Sequence, residues 1–279
     1  MSTVTIFEPD LTPSEIALLR RYLTDSHQFS GREWCRMRQA IDKLAHCEVQ
    51  FGARRYRFTQ FYRIFINGTY AYPFLKELAD LSDADGEGLE LQAQVARQIW
   101  EWLQLNGIQA GRTPNAEYLV VFCLYQWGAF ARGHIFEAVI LRDLQREGIE
   151  FTAHDPTVGR FAPYDLYIPV LGYGDVKTSG YFLDDLTMDT PVADFYVTRV
   201  YAPQSRGYQR VVFVTPQAWR RLQCPDEDVE EHVVNSLPAA AERFPQVTRV
   251  QIEHLSWVVV EYGAWKRILL QEQKEERDE

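Results

Sequence analysis

Residues 137–177 read EAVILRDLQREGIEFTAHDPTVGRFAPYDLYIPVLGYGDVK. Glu137, Ile140, Leu141 and Leu144 recur at the spacing of one helix face, and Gly148 marks where that helix stops. Short β-rich runs follow at Ile149–Ala153, Tyr164–Val170 and Gly174–Thr178. Side chains on a strand alternate faces, so Asp175 and Lys177 share one face while Val176 points into the core. Asp165 stands near the start of the preceding run, and a hairpin between the two runs lays it beside Asp175.

Two carboxylates a few ångströms apart repel unless something positive lies between them. A divalent cation is the natural partner, and oxygen ligands with room for water suit Mg²⁺, with Mn²⁺ as a substitute. Such an ion activates water and neutralises charge on a phosphodiester. Lys177, beside it, is placed to hold the attacking water or to stabilise developing charge. A glutamate on an apolar helix face is costly unless it is paired or ligating, so Glu137 is the candidate third acid, completing the metal shell or orienting the nucleophile. The competing reading is an ordinary Asp–Lys ion pair at a sheet end. An acid two residues before a lysine is common by chance. The pattern recurs at Glu272-Gln273-Lys274, which reads as a solvated charged segment. Context separates 175–177: a buried strand, an aspartate ten residues upstream and an inward-facing helical acid.

Around this stretch the chain divides into two regions. Upstream, a helix or helix pair covers Ala116–Glu147. Downstream come strands at Asp194–Tyr201 and Arg210–Thr215, a short helix after Pro216, a helix over Asp228–Arg243 and a strand pair within Val247–Tyr262. Breakers near residue 110 set a soft boundary between an N-terminal region, 1–110, and a core, 111–279. In the N-terminal region, Thr12-Pro13-Ser14-Glu15 starts a helix with a capping box. A basic helix runs over Arg32–Ala45 with Trp34, Met37, Ile41 and Leu44 on one face, and another helix covers Leu89–Leu105. The aromatic stretch Tyr56–Tyr72, with Asn67-Gly68 inside it, reads as a β-hairpin. The fold class expected is α/β (α+β): a central mixed sheet flanked by helices, preceded by a mainly helical region containing a hairpin.

With 46% hydrophobic and 24% charged residues, the composition is that of a globular protein. No run approaches the length of a membrane span, and the opening MSTVTIFEPD lacks a basic stretch leading into an apolar core, so neither a membrane helix nor a secretory signal is read. The four cysteines, 35, 47, 123 and 224, form no C-x-x-C pair, which argues for a reduced, cytoplasmic protein without a zinc or disulfide framework. No G-x-x-x-x-G-K-[ST] run occurs, so no nucleotide cofactor is expected. Net charge is −10 but unevenly spread: Arg20–Arg63 holds ten Lys/Arg against four acids, whereas Glu77–Glu101 holds seven acids against one Arg. The N-terminal arginines Arg32, Arg36, Arg38, Arg54, Arg55 and Arg57, interleaved with Tyr56 and Tyr62, fit a DNA-binding surface; a solvated helix face is the plainer alternative. His134, His154, Thr178, Ser179, Gln209 and Arg210 are secondary candidates for contact with the site or with DNA.

The order helix-Glu, strand, Pro163-Tyr164-Asp165, then Asp175-Val176-Lys177 resembles the PD-(D/E)XK nuclease superfamily, over about residues 130–220. That superfamily includes restriction endonucleases, phage exonucleases, Holliday-junction resolvases and the endonuclease subunits of heteromeric transposases. Here Tyr164 separates Pro163 from the first aspartate and the second acid is Asp175, both tolerated variations. The resemblance implies a restriction-endonuclease-like fold and Mg²⁺-dependent hydrolysis of DNA. Asp165, Asp175 and Glu137 would be the catalytic, metal-binding acids and Lys177 the catalytic group that positions water or stabilises charge. Cutting both strands needs two sites, hence a homodimer or a partner protein. The alternative is a non-catalytic DNA-binding or assembly subunit that keeps the nuclease fold. Its mark would be Asp165 far from Asp175, or Lys177 turned away.

Overall fold

The computed structural model describes residues 5–7, 9–109, 115–155, 164–179, 191–202, 207–222, 230–234, 247–252 and 255–278. Pro163, Cys224 and the helix expected over Asp228–Arg243, apart from residues 230–234, lie outside the described residues. The chain forms two compact units, Met1–Arg132 and Gly133–Glu279. The division falls inside one continuous helix, Ala116–Glu147, rather than at the breakers near 110.

In the first unit, helices α1 (Pro13–Asp25) and α2 (Gly31–Leu44) both start on capping boxes. At α1 the Thr12 hydroxyl accepts from the Glu15 N–H at 3.3 Å, and the Glu15 carboxylate accepts from the Thr12 N–H at 2.7 Å. Glu15 also pairs with Lys43 of α2 at 2.7 Å, which ties the two helices together. Thr12→Ala is expected to cost about 1 kcal/mol, the usual worth of such a cap, and a shifted urea midpoint with an unchanged slope would show it. A small antiparallel sheet takes strands β1 (Thr5–Ile6), β2 (Glu48–Phe51) and β3 (Arg54–Arg57). Its hairpin turns at Gly52, whose φ of 61° suits glycine.

The hairpin expected at Asn67-Gly68 does not form. After β3 the chain runs on as helix: α3 (Phe58–Phe61), a π-helical segment (Tyr62–Asn67) and α4 (Gly68–Asp80). Asn67 and Gly68 both hold right-handed helical φ, −62° and −60°, whereas a two-residue hairpin turn needs positive φ. Tertiary packing decides the matter. Phe58, Phe61 and Ile66 are fully buried, Phe61 and Phe65 pack on Trp102, and Phe58 packs on Phe122. Those contacts need the helical spacing 58–61–65, not alternation. Helices α5 (Gly86–Leu105) and the first part of α6 (Ala116–Glu147) complete this aromatic core, with Leu103, Leu119, Phe122 and Trp127 buried.

The second unit is a mixed sheet of eight strands flanked by helices. In chain order the strands are β4 (Thr152–Ala153), β5 (Leu166–Ile168), β6 (Gly172–Val176), β7 (Phe195–Ala202), β8 (Gly207–Val214), β9 (Glu230–Val234), β10 (Thr248–Ile252) and β11 (Leu255–Glu261). Across the sheet the order is β4-β5-β6-β7-β8-β11-β10-β9, with parallel pairs at β6–β7 and β9–β10 and antiparallel pairs elsewhere. Residues 230–234, expected in a helix, thus form an edge strand. The short helix after Pro216 is present as α7 (Pro216–Trp219).

A last helix, α8 (Tyr262–Asp278), takes in Glu272-Gln273-Lys274, which the sequence suggested was a solvated charged segment. Tyr262, Trp265 and Leu269 bury one face of it, and Glu272 and Gln273 are buried as well. The Gln273 side chain exchanges hydrogen bonds with the backbone of Glu150.

Helix α6 ends as the sequence suggested. Gly148 takes φ 77°, the Gly148 N–H donates to Gln145 O and the Ile149 N–H to Leu144 O, a Schellman stop. This fixes the phase of α6 over the sheet, so Phe136, Ile140 and Leu144 enter a core with Leu166, Ile168, Val176, Val197 and Trp265. The alternate residues of β7, β8 and β11 form a second core on the other face, around Tyr196, Phe213 and Trp257. Strands buried on both faces explain the continuous apolar run Val211–Val214.

Candidate active site

Strands β5 and β6 form a tight hairpin in the register Leu166↔Gly174 and Ile168↔Gly172. Two glycines make it possible. Gly172 has φ 113°, open only to glycine, and a Cβ at Gly174 would overlap the Phe195 ring. Pairing continues past β5, since the Asp165 N–H donates to Gly174 O at 2.9 Å and the His154 N–H to Asp165 O at 2.8 Å. Asp165 is therefore fixed from both sides. Its carboxyl accepts the Val176 N–H at 2.7 Å and hydrogen-bonds the carboxyl of Asp175.

Asp175 and Lys177 share one face, as alternation requires, while Val176 sits in the core. Lys177 Nζ lies 2.6 Å from Asp175 Oδ2, and the Lys177 N–H donates to Val197 O of the parallel neighbour β7 at 2.8 Å. Burial works against the lysine's charge, but the Asp175 carboxylate outweighs it and holds the ammonium above the ordinary lysine range. Glu137 is buried on α6, 9% exposed, and its carboxylate is 3.1 Å from Nδ1 of His134.

Burial, the hydrogen bond to Asp175 and the negative charges of Glu137 and Asp175 push the Asp165 carboxyl up to about 8. A folded-state value raised this far means that the folded chain keeps a proton the unfolded chain releases. Its contribution to stability is complete below about pH 4, the ordinary aspartate value, and is lost as pH rises toward 8. Asp165→Asn is expected to flatten that decline and to be the more stable form at pH 8 without metal, as urea unfolding in EDTA across pH 5–8 would reveal.

The structure thus brings Asp165 and Lys177 each against Asp175, with Glu137 felt by Asp165 through its charge and held by His134. Among the described residues no group of three or more His, Cys, Asp or Glu side chains gathers as metal ligands. Two neighbouring carboxylates are a donor set that fits Mg²⁺, which is commonly held by one or two carboxylates plus substrate phosphates. Burial and the negative charges of Glu137 and Asp175 crowd Asp165, and a cation beside it would offset that crowding.

The arginines singled out in the first unit fall on two elements. Arg32, Arg36 and Arg38 lie on α2, and Arg54, Arg55 and Arg57 on β3, all exposed. Arg55 stacks over Phe7 at 4.8 Å and approaches Glu48 at 3.9 Å. Tyr62 is no stacking platform: it sits in the π-helical segment, and burial drives its hydroxyl far above the usual range. Sequence reasoning missed Arg199. It lies directly across from Arg210 in the β7–β8 pair and 4.1 Å over the Phe136 ring. The signal was available, because Phe195, Val197 and Arg199 alternate onto one face and the arginine interrupts an inward apolar series. Compared with family models, curated proteins and solved structures, the chain matches none.

Proposed function

We propose that this chain is a metal-dependent DNA endonuclease of the PD-(D/E)XK type, with a restriction-endonuclease-like core in its second unit. The observation that carries the reading is the Asp165–Asp175 carboxyl pair with Lys177 Nζ 2.6 Å from Asp175, set on adjacent strands after a helix bearing Glu137. Asp165 and Asp175 would hold Mg²⁺, or Mn²⁺ in its place. Bound there, the ion would activate water and offset charge on the phosphodiester. Lys177, 2.6 Å from Asp175, would donate a hydrogen bond to the attacking water or to the developing phosphorane oxygen. Glu137, braced by His134, keeps the field at Asp165 negative and so favours a cation there.

Phosphate grip is assigned to the exposed arginines of α2 and β3. Cutting both strands would require a homodimer or a partner protein. Among the described residues Cys35, Cys47 and Cys123 form no disulfide, which fits the reducing cytoplasm proposed for this chain, and no helix is long and apolar enough to cross a membrane.

The second reading, a non-catalytic DNA-binding or assembly subunit keeping this fold, draws on the missing third ligand among the described residues. The nuclease reading is favoured over it by the hydrogen bond between the two carboxyls and by Lys177 at 2.6 Å from Asp175. Calorimetric titration with Mg²⁺ separates the readings. The nuclease reading expects binding by wild type that Asp165→Asn loses. No heat of binding with Mg²⁺ or Mn²⁺, in the presence of DNA, would favour the subunit.

A further inference from the structure

At the β4–β5–β6 end of the sheet, on the strands that lead into the carboxylate pair, lies an open groove of about 450 Å³. That is within the roughly 300–1,000 Å³ of small-molecule sites. Its apolar lining is a cluster of three tyrosines. Tyr164 and Tyr173 have ring centroids 4.3 Å apart, and Tyr167 and Tyr173 5.0 Å apart. Its polar lining includes Thr152, His154 and Asp155. The groove is continuous with the site along the chain: Tyr164 adjoins Asp165, and Tyr173 lies two residues before Asp175 on the same strand face. Tyr173 is 45% exposed, although an aromatic ring on a short, glycine-flanked strand has every energetic reason to be covered.

We propose that this groove seats an unpaired nucleobase of the substrate strand, next to the phosphate presented at Asp165 and Asp175. The inference rests on the nuclease reading and narrows its substrate to single-stranded or locally unpaired DNA. Aromatic faces accept any base by stacking. The threonine, histidine and aspartate offer hydrogen-bonding groups of the kind that read a base edge once it has left the duplex. A paired base has no free face to offer the tyrosines, so an intact duplex would leave the groove empty.

The test uses a single-stranded oligonucleotide carrying one 2-aminopurine, in EDTA so that nothing is cut. Stacking on the tyrosines quenches its fluorescence. Wild type is expected to quench the single strand more than the matching duplex. Tyr173→Ala is expected to bind about five- to a hundred-fold more weakly and to lose the quench. Tyr173→Trp, which keeps a stacking face, is expected to retain both. Equal quenching and affinity in wild type and Tyr173→Ala, or equal affinity for an abasic oligonucleotide, would overturn the proposal. The two readings fail separately. Metal-dependent cleavage with wild-type affinity in Tyr173→Ala removes the base groove and leaves the nuclease. Tyr173-dependent quenching in a protein that never cleaves removes the nuclease and leaves the groove.

Discussion

Asp175→Asn is expected to lose metal-dependent DNA cleavage by a factor on the order of 10²–10³ or more while remaining folded. Asp175 is the residue that both other members of the site touch: Asp165 hydrogen-bonds it, and Lys177 ion-pairs with it. Removing its charge leaves one carboxylate where two are needed to hold a hard cation, and it unties the lysine from the site. The asparagine has nearly the same shape, and it relieves the like-charge crowding that keeps Asp165 protonated, so stability is not the casualty. Circular dichroism of the variant should match wild type. If Asp175→Asn cleaves at the wild-type rate, the carboxylate pair is not the catalytic centre.

The second large effect concerns the floor under the site. Gly174→Ala is expected to lower stability by about 3 kcal/mol, the upper part of the usual range for overpacking a core. The added methyl would overlap the ring of Phe195, which is fully buried and packs on Trp265 at 5.5 Å. Neither partner has space to retreat into, and any shift of β6 moves Asp175 away from Asp165. Phe195→Leu costs packing when made alone. Combined with Gly174→Ala, it should recover part of the loss, giving a coupling that a double-mutant cycle in urea would measure. Strict additivity of the two substitutions would show that the glycine is not there to admit the ring.

The geometry of the candidate site was largely legible because it depends on local rules. Strand alternation placed Asp175 and Lys177 on one face, helical spacing turned Glu137 inward, and Gly148 ended α6 where it was read. The misreadings share a different cause. At Tyr56–Tyr72 the β-rich composition and the Asn67-Gly68 pair outvoted the helical spacing of Phe58, Phe61 and Phe65, and only their packing on Trp102 and Phe122 decides between the two. In the C-terminal helix the run of charge hid a face formed by Tyr262, Trp265, Leu269 and Gln273. The strand at Glu230–Val234 owes its form to parallel pairing with β10, a partner that no local pattern identifies. Arg199 escaped notice because its significance lies in facing Arg210 and covering Phe136, both of which are relations across the fold.

The most direct measurement compares wild type and Lys177→Ala on supercoiled, linear and single-stranded DNA in Mg²⁺, in Mn²⁺ and in EDTA. The nuclease reading predicts cutting by wild type with either metal, none in EDTA, and a loss of cutting in Lys177→Ala on the same substrates. Cutting that persists in EDTA or in Lys177→Ala, or its absence from wild type on every substrate and metal, would contradict it.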